Sequence, residues 1–295
     1  MYHYVGIRKD LPYFRSCSES EFIYQIETLK SLDYTICSLK DYLDFEKHNK
    51  NVAILSFDDG LSDHYQSSLI LNDYSSTASF YIPTNPYTKK IYLDVHKSHL
   101  IVGQLGSLSL SKLKKHLKNR NIFTDISFDK KYINTYQKHD HESDIKEFKR
   151  IVNYYSKSGS LSGVLDKILE ETNLKSNLGK IYLTESQIIK MSNSGHEIGS
   201  HSCSHSLLSK LSYQEQYFEL YKSKHYLENL ISKKIRTFCY PYGTKISYNN
   251  KTISILEKVG YQAALSVEPK AIDLDNLKIF EIPRYDCNQF RTIFR

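Results

Sequence analysis

The sequence predicts an α/β protein built on a parallel sheet. Three observations lead there. Short apolar, β-rich runs alternate with helix-like segments from Val52 to Ile282, and such alternation implies parallel strands joined by right-handed crossovers. The length of 295 residues is one that α/β barrels often fill as a single unit. One stretch, residues 86–180, breaks the rhythm with helical patterns and few strand signals. It reads as a mostly helical insertion on one loop, so the whole chain, 1–295, is taken as a single domain.

Each element has its own signal. Ser18-x-x-Glu21 is a capping box ahead of Phe22, Ile23, Ile26 and Leu29, which share one helix face. Val52 to Phe57 is an apolar run ending in Asp-Asp-Gly, as expected of a buried parallel strand entering a tight turn. Thr77 to Ile82 is β-rich and stops at Pro83. Within the insertion, helical patterns cover Leu110–Leu117, Ile145–Tyr155 and Leu161–Leu169. Thr184-x-x-Gln187 caps another helix, and Glu197 to Ser200 reads as a strand. Ser212-x-x-Glu215 opens a helix carrying Tyr217, Leu220, Leu227 and Leu230. Ile235 to Cys239 is a strand, and the helix through Ile253, Leu256 and Val259 can end at Gly260. Tyr261 to Val267 and Lys278 to Ile282 read as the last strands.

Composition excludes several classes. Hydrophobic content of 40% and charged content of 25% suit a packed core rather than disorder. No apolar run reaches the roughly 18 residues of a membrane span. Met1 to Arg8 lacks the pattern of a signal peptide, so a cytoplasmic location is expected. The five cysteines, Cys17, Cys37, Cys203, Cys239 and Cys287, form no C-x-x-C pair, which favours reduced thiols. The net charge of +7 is concentrated: residues 89–157 hold 15 Lys+Arg against 7 Asp+Glu, while the rest hold 25 against 26. A solvated surface explains this. An anionic partner, such as a lipid phosphate, nucleotide sugar or acidic glycan, would also use it, with peripheral membrane contact through the same segment. No nucleic-acid motif accompanies the charge.

Four constellations carry chemistry, each just past a strand signal, where catalytic groups of α/β barrels collect. In Ser56-Phe57-Asp58-Asp59-Gly60, adjacent carboxylates point in different directions, so one can bind a cation while the other faces a substrate. Gly60 permits the positive φ of a sharp exit turn. In His201-Ser-Cys-Ser-His205, histidines at i and i+4 on a helical turn would stand on one face, close enough to share a metal. In Tyr240-Pro241-Tyr242-Gly243, a rigid turn can aim a backbone N–H at an oxyanion and line a groove with rings. Ile282-Pro283-Arg284-Tyr285 offers a charged partner for a carboxylate. Each motif alone is also an ordinary turn or surface feature; their order and spacing together are not.

Together these residues resemble the polysaccharide deacetylase family, the NodB-homology enzymes of carbohydrate esterase family 4. Ser-Phe-Asp-Asp-Gly is similar to the family's T/S-F-D-D-G motif, His201-x-x-x-His205 to its H-[ST]-x-x-H motif, and Tyr240-Pro241-Tyr242-Gly243 to the end of its third motif. The resemblance implies a distorted (β/α)7 TIM-like barrel and metal-dependent N-deacetylation of an amino sugar in a glycan or glycan precursor. It implies Asp58 as base, and Asp59, His201 and His205 as ligands of a divalent metal, usually zinc, with cobalt or nickel as alternatives. Tyr240, Pro241 and Tyr242 would lie at the oxyanion and substrate. The chain departs from the family twice. Cys239 stands where the family has an arginine that orients the base, and Arg284 is the substitute on offer. The family's late histidine is missing, since no histidine follows His225. Instead Tyr2-His3-Tyr4 resembles the N-terminal Tyr-His of the permuted subgroup acting on poly-N-acetylglucosamine, which implies His3 as general acid. Two alternatives stay open: a degenerate glycan-binding barrel, and a hydrolase of a small non-sugar amide.

Overall fold

A parallel sheet organises the computed structural model, which describes residues 1–6, 11–45, 51–118, 126, 128–137, 141–157, 159–174, 180–273 and 275–294. Strands β1 (Thr35–Cys37) and β2 (Val52–Ile54) form a parallel pair of their own. The main sheet has the order β3 (Ser56–Phe57), β4 (Ser79–Ile82), β5 (Glu197–Ser200), β6 (Thr237–Cys239) and β7 (Ala263–Leu265), parallel throughout. Single parallel bridges add a segment at each edge, Tyr2 to Phe57 and Ile282 to Leu265. The sheet curls until those edges meet: the Met1 amine donates to Tyr285 O at 2.6 Å, and Cys287 N–H donates to Met1 O at 3.0 Å. Seven parallel positions result, the architecture of a distorted (β/α)7 barrel.

Along the chain the helices are α1 (Glu19–Ser31), α2 (Leu39–Asp44), α3 (His64–Asp73), α4 (Asn85–Thr88), α5 (Asp94–Leu105), α6 (Leu108–Lys118), α7 (Ser143–Arg150), α8 (Ser162–Glu171), α9 (Glu185–Asn193), α10 (Tyr213–Ile231), α11 (Asn250–Val259) and α12 (Phe290–Ile293). The capping boxes at Thr184 and Ser212 form in full, and Gly260 ends α11 at φ 85°. The box at Ser18 forms by half: Ser18 Oγ accepts the Glu21 N–H, while the Glu21 carboxylate is taken by Gln25 and Arg291. Among the described residues, no helix is long and apolar enough to cross a membrane. All five cysteines are free thiols.

Three local expectations need correction. The run Val52 to Phe57 is not one strand; it divides at Leu55, so that β2 pairs with β1 and β3 enters the main sheet. Lys278 to Ile282 is not a full strand, because residues 279 and 280 turn and only Ile282 bridges. His201 to His205 is not a helical turn, because Ser202 (φ 62°) and His205 (φ 57°) are left-handed, which breaks any α-helix.

The chain divides into two compact units: one of Met1–Ile7, Ser16–Lys89 and Tyr182–Arg295, the other of Arg8–Arg15 and Lys90–Ile181. The first contains the sheet. Its centre stacks Tyr2 on Phe57 (4.9 Å) and Phe57 on Phe80 (4.6 Å), with Phe22 edge-on to Phe57. Each such pair adds about 0.5–1.5 kcal/mol beyond area burial. At the strands' amino ends, Ser79, Glu197 and Thr237 form a polar cluster. The Glu197 carboxylate accepts Ser79 Oγ–H and Thr237 Oγ1–H, each at 2.6 Å, and the Lys40 N–H of α2 at 2.9 Å. The second unit contains α5 to α8, whose buried faces include Leu100, Ile101, Leu113, Phe148, Leu165 and Ile168. Arg120 and Lys138 of the basic stretch lie outside the described residues.

Candidate metal and catalytic site

The carboxyl ends of the strands bring the four constellations together. Asp58 and Asp59 follow β3, His201 follows β5, Tyr240 to Gly243 follow β6, and Arg284 follows the Ile282 bridge. His3 follows the Tyr2 bridge, whose backbone is locked to β3 by Tyr2 N–H to Ser56 O (2.8 Å) and Asp58 N–H to Tyr2 O (3.0 Å). The turns are sharp. Asp59 (φ 81°), Gly60 (φ 61°), Tyr242 (φ 62°) and Gly243 (φ 60°) are all left-handed. Non-glycine residues rarely hold such angles unless their surroundings impose them, and they cluster at functional sites. At Gly243 an added Cβ would also meet Val267 Cγ1 at 2.6 Å.

Asp59 is the meeting point of the histidines. Its Oδ1 lies 3.4 Å from His201 Nε2 and 3.2 Å from His205 Nε2, and all three residues are buried. Bonds of about 2.0–2.1 Å at a tetrahedral ion place neighbouring donor atoms about 3.3 Å apart, so the observed spacing fits one. The donor chemistry fits as well. His201 Nδ1 bonds Cys239 O at 2.8 Å, and since a carbonyl only accepts, Nδ1 carries the proton and Nε2 keeps its lone pair. Burial disfavours a charged His201 ring, yet its hydrogen bond to Cys239 and the Asp59 carboxylate push its pKa well above the usual histidine range.

Asp58 meets Arg284, and its carboxylate also lies within 4.8 Å of a His201 ring nitrogen and of the Cys239 thiol. Arg284 grips it with two parallel bonds, Nη1 to Oδ1 at 2.7 Å and Nη2 to Oδ2 at 2.8 Å. The same guanidinium bonds Ser56 Oγ (3.0 Å), Ser266 O (2.8 Å) and Cys239 Sγ (3.1 Å). Burial raises the Asp58 pKa, but the adjacent guanidinium outweighs it and holds the carboxyl well below the usual range. Burial pushes the Cys239 thiol up, so it stays protonated. A small residue at 239 thus leaves the space that Arg284 occupies.

The remaining candidates differ in what they expose. The Tyr242 ring stands edge-on to His205 at 4.8 Å. The Tyr240 ring does not line an opening. It is buried, stacks on Tyr248 at 3.9 Å and donates to Phe280 O at 2.9 Å, so only its backbone belongs to the turn, beside the buried Pro241. His3 is half-buried, and its carbonyl bonds His64 Nε2 at 2.6 Å. Reading the sequence missed His64 and also Glu219, whose carboxylate bonds the loop between the two histidines. Neither has a spacing rule that ties it to the motif it serves.

Comparison with known proteins gives a family-model match, a curated relative and solved structures of the same fold. The polysaccharide deacetylase family model matches residues 166–264. Over 96 residues the chain is 35% identical to YxkH of Bacillus subtilis (strain 168), whose name places it among the polysaccharide deacetylases. That match covers 32% of this chain and 33% of the relative, so the chain spans about a third of the length of the curated relative it matches. Solved structures share the fold across the whole chain at low identity. The Streptococcus pyogenes deacetylase PplD, in complex with acetate, has a TM-score of 0.60 at 16% identity, covering 100% of this chain and 96% of that one. IcaB from Ammonifex degensii has a TM-score of 0.56 at 14% identity, covering 99% and 93%. The match to the polysaccharide deacetylase family model is thus confined to residues 166–264, while the solved deacetylase structures share the fold of the whole chain.

Proposed function

We propose that the protein hydrolyses the N-acetyl group of an amino sugar within a glycan or glycan precursor, and that it needs a divalent metal, zinc in the first instance. The observation that carries this reading is the convergence of Asp59, His201 and His205 beside the Arg284-gripped Asp58. A cation held by those three ligands would supply Lewis-acid polarisation of the acetyl carbonyl. Asp58, kept ionised by Arg284, retains lone pairs on both oxygens and takes the proton of the attacking water. The Tyr242 N–H, presented by a left-handed turn, supports the oxyanion. His3, on the segment adjoining Asp58, returns a proton to the leaving amine. Residues 1–295 then act as one deacetylase domain carrying the segment 86–180 as an insertion.

Two measurements test this. Mass spectrometry of N-acetylated sugars and oligosaccharides should show loss of acetyl, while formyl and cyclic amides stay intact; the reverse selectivity would favour a small-amide hydrolase. His201→Ala and His205→Ala should each lose bound zinc by elemental analysis and lose activity. Full occupancy in either variant would remove these residues from the metal site, and zinc binding without acetate release would leave a glycan-binding barrel.

A further inference from the structure

We propose that Glu219, on α10, is the positioning residue that sets the metal affinity of the His201–His205 loop; the idea rests on the metal site proposed above. The loop cannot hold itself in shape by helical hydrogen bonds, because two of its five residues are left-handed. The two N–H groups midway between the histidines, those of Cys203 and Ser204, are both taken by one side chain. Glu219 Oε2 accepts the Cys203 N–H at 2.8 Å and the Ser204 N–H at 2.8 Å, and Oε1 accepts the Ser204 hydroxyl at 2.8 Å. Cys203 Sγ also points to the Glu219 carbonyl at 3.5 Å. On the other side, Ser202 O and Cys203 O accept the N–H groups of Thr84 (3.2 Å) and Asn85 (2.9 Å) at the start of α4. Ser202 Oγ closes the loop by accepting the His205 N–H at 3.0 Å.

These bonds fall between the two ligands, where they decide whether His205 returns to within 3.2 Å of Asp59. Glu219 is itself held on a rigid base, since α10 is 19 residues long with a complete capping box, and Ser223 Oγ bonds the Glu219 carbonyl at 2.7 Å. Charge-assisted bonds from two backbone donors and a hydroxyl are strong and directional. Removing the carboxylate frees the two N–H groups and lets the histidines diverge, so the ordering that the fold now provides would have to be supplied by the metal.

The test is zinc titration, alone and without substrate, of the wild type, Glu219→Ala and Glu219→Gln. Outer partners of metal ligands typically contribute about 10–100-fold in affinity, and a loss of that order is expected for Glu219→Ala. Glu219→Gln keeps an acceptor for the two N–H groups and should recover most of it. Excess zinc should restore kcat in Glu219→Ala, which a damaged core would not allow. The Cys203 and Ser204 amides should exchange faster in that variant with no change in the slowest-exchanging core amides. Unchanged zinc affinity and exchange in a folded Glu219→Ala would overturn the proposal. A wild type that binds no zinc would overturn the metal site as well, which separates the two failures. If Glu219→Ala does not fold, Ser204→Ala, which removes the hydroxyl's bonds to Glu219 and Ser206 but keeps both N–H bonds to Glu219, must show a smaller loss of affinity or the proposal fails.

Discussion

At the scale of single residues, the Asp58–Arg284 pair gives the two adjacent carboxylates different surroundings, and the proposed division of their roles rests on that. Asp58 is paired with a guanidinium and lies within 4.8 Å of one histidine, His201, while Asp59 meets both histidines. Asp58→Asn should therefore keep its zinc and lose turnover by about 10²–10⁴-fold, the range for a general base. Asp59→Asn should lose zinc first. Identical behaviour in metal analysis and kinetics would refute the division. Arg284→Ala leaves a buried carboxylate unpaired, which costs about 3–5 kcal/mol, and a lowered urea midpoint checks it. In that background Cys239→Arg should recover part of the stability and activity, since both side chains address the same space beside Asp58. No recovery would mean that the guanidinium must approach from the strand end that carries Arg284.

At the scale of elements, the two ends of the sheet carry opposite tasks. The carboxyl ends hold the candidate site, while the amino ends are closed by Glu197 with Ser79, Thr237 and the first N–H groups of α2. Burial raises the Glu197 pKa above its usual value, against the lowering effect of its hydrogen bonds to Ser79 and Thr237. A group raised in this way binds its proton more tightly in the folded chain than in the unfolded one. Its stabilising effect is complete below the unfolded value, about 4.3 for Glu, and is lost as pH rises through the folded value. Glu197→Gln has no such loss, so its stability relative to the wild type should climb as pH rises above about 4.3. Urea unfolding of both proteins across the acid-to-neutral range reads the difference; a constant gap would show that Glu197 titrates as it does in the unfolded chain.

At the scale of the whole molecule, the positive charge and the candidate site belong to different compact units. In α6, Lys112 pairs with Glu171 at 3.0 Å, whereas Lys114, Lys115 and Lys118 are exposed. If this segment binds an anionic, lipid-linked or acidic sugar substrate, charge reversal at Lys114, Lys115 and Lys118 should raise KM and leave kcat nearly unchanged, as when uniform binding is lost. Added salt should raise KM in the wild type, because exposed charges are screened beyond about 8 Å at physiological ionic strength. A KM insensitive to both changes would assign the segment to a solvated surface.

The sequence by itself determined what local chemistry controls: the alternation of strands and helices, the caps at Thr184 and Ser212, the stop at Gly260, and the residues of the Asp-Asp and His-His motifs. These follow from hydrogen bonds and side-chain periodicity within a few residues, and the order and spacing of the motifs carry the family resemblance. Only the tertiary structure decided what depends on the curl of the sheet. It split the run Val52 to Phe57 between two sheets and turned the Tyr240 ring into the core. It replaced a helical turn at His201–His205 with a loop clamped by Glu219, and set Arg284 against Asp58 across 226 residues of chain. No local pattern encodes such pairings, because they arise where strand ends distant in sequence are brought side by side by hydrogen bonding between strands and burial of the rings beneath them.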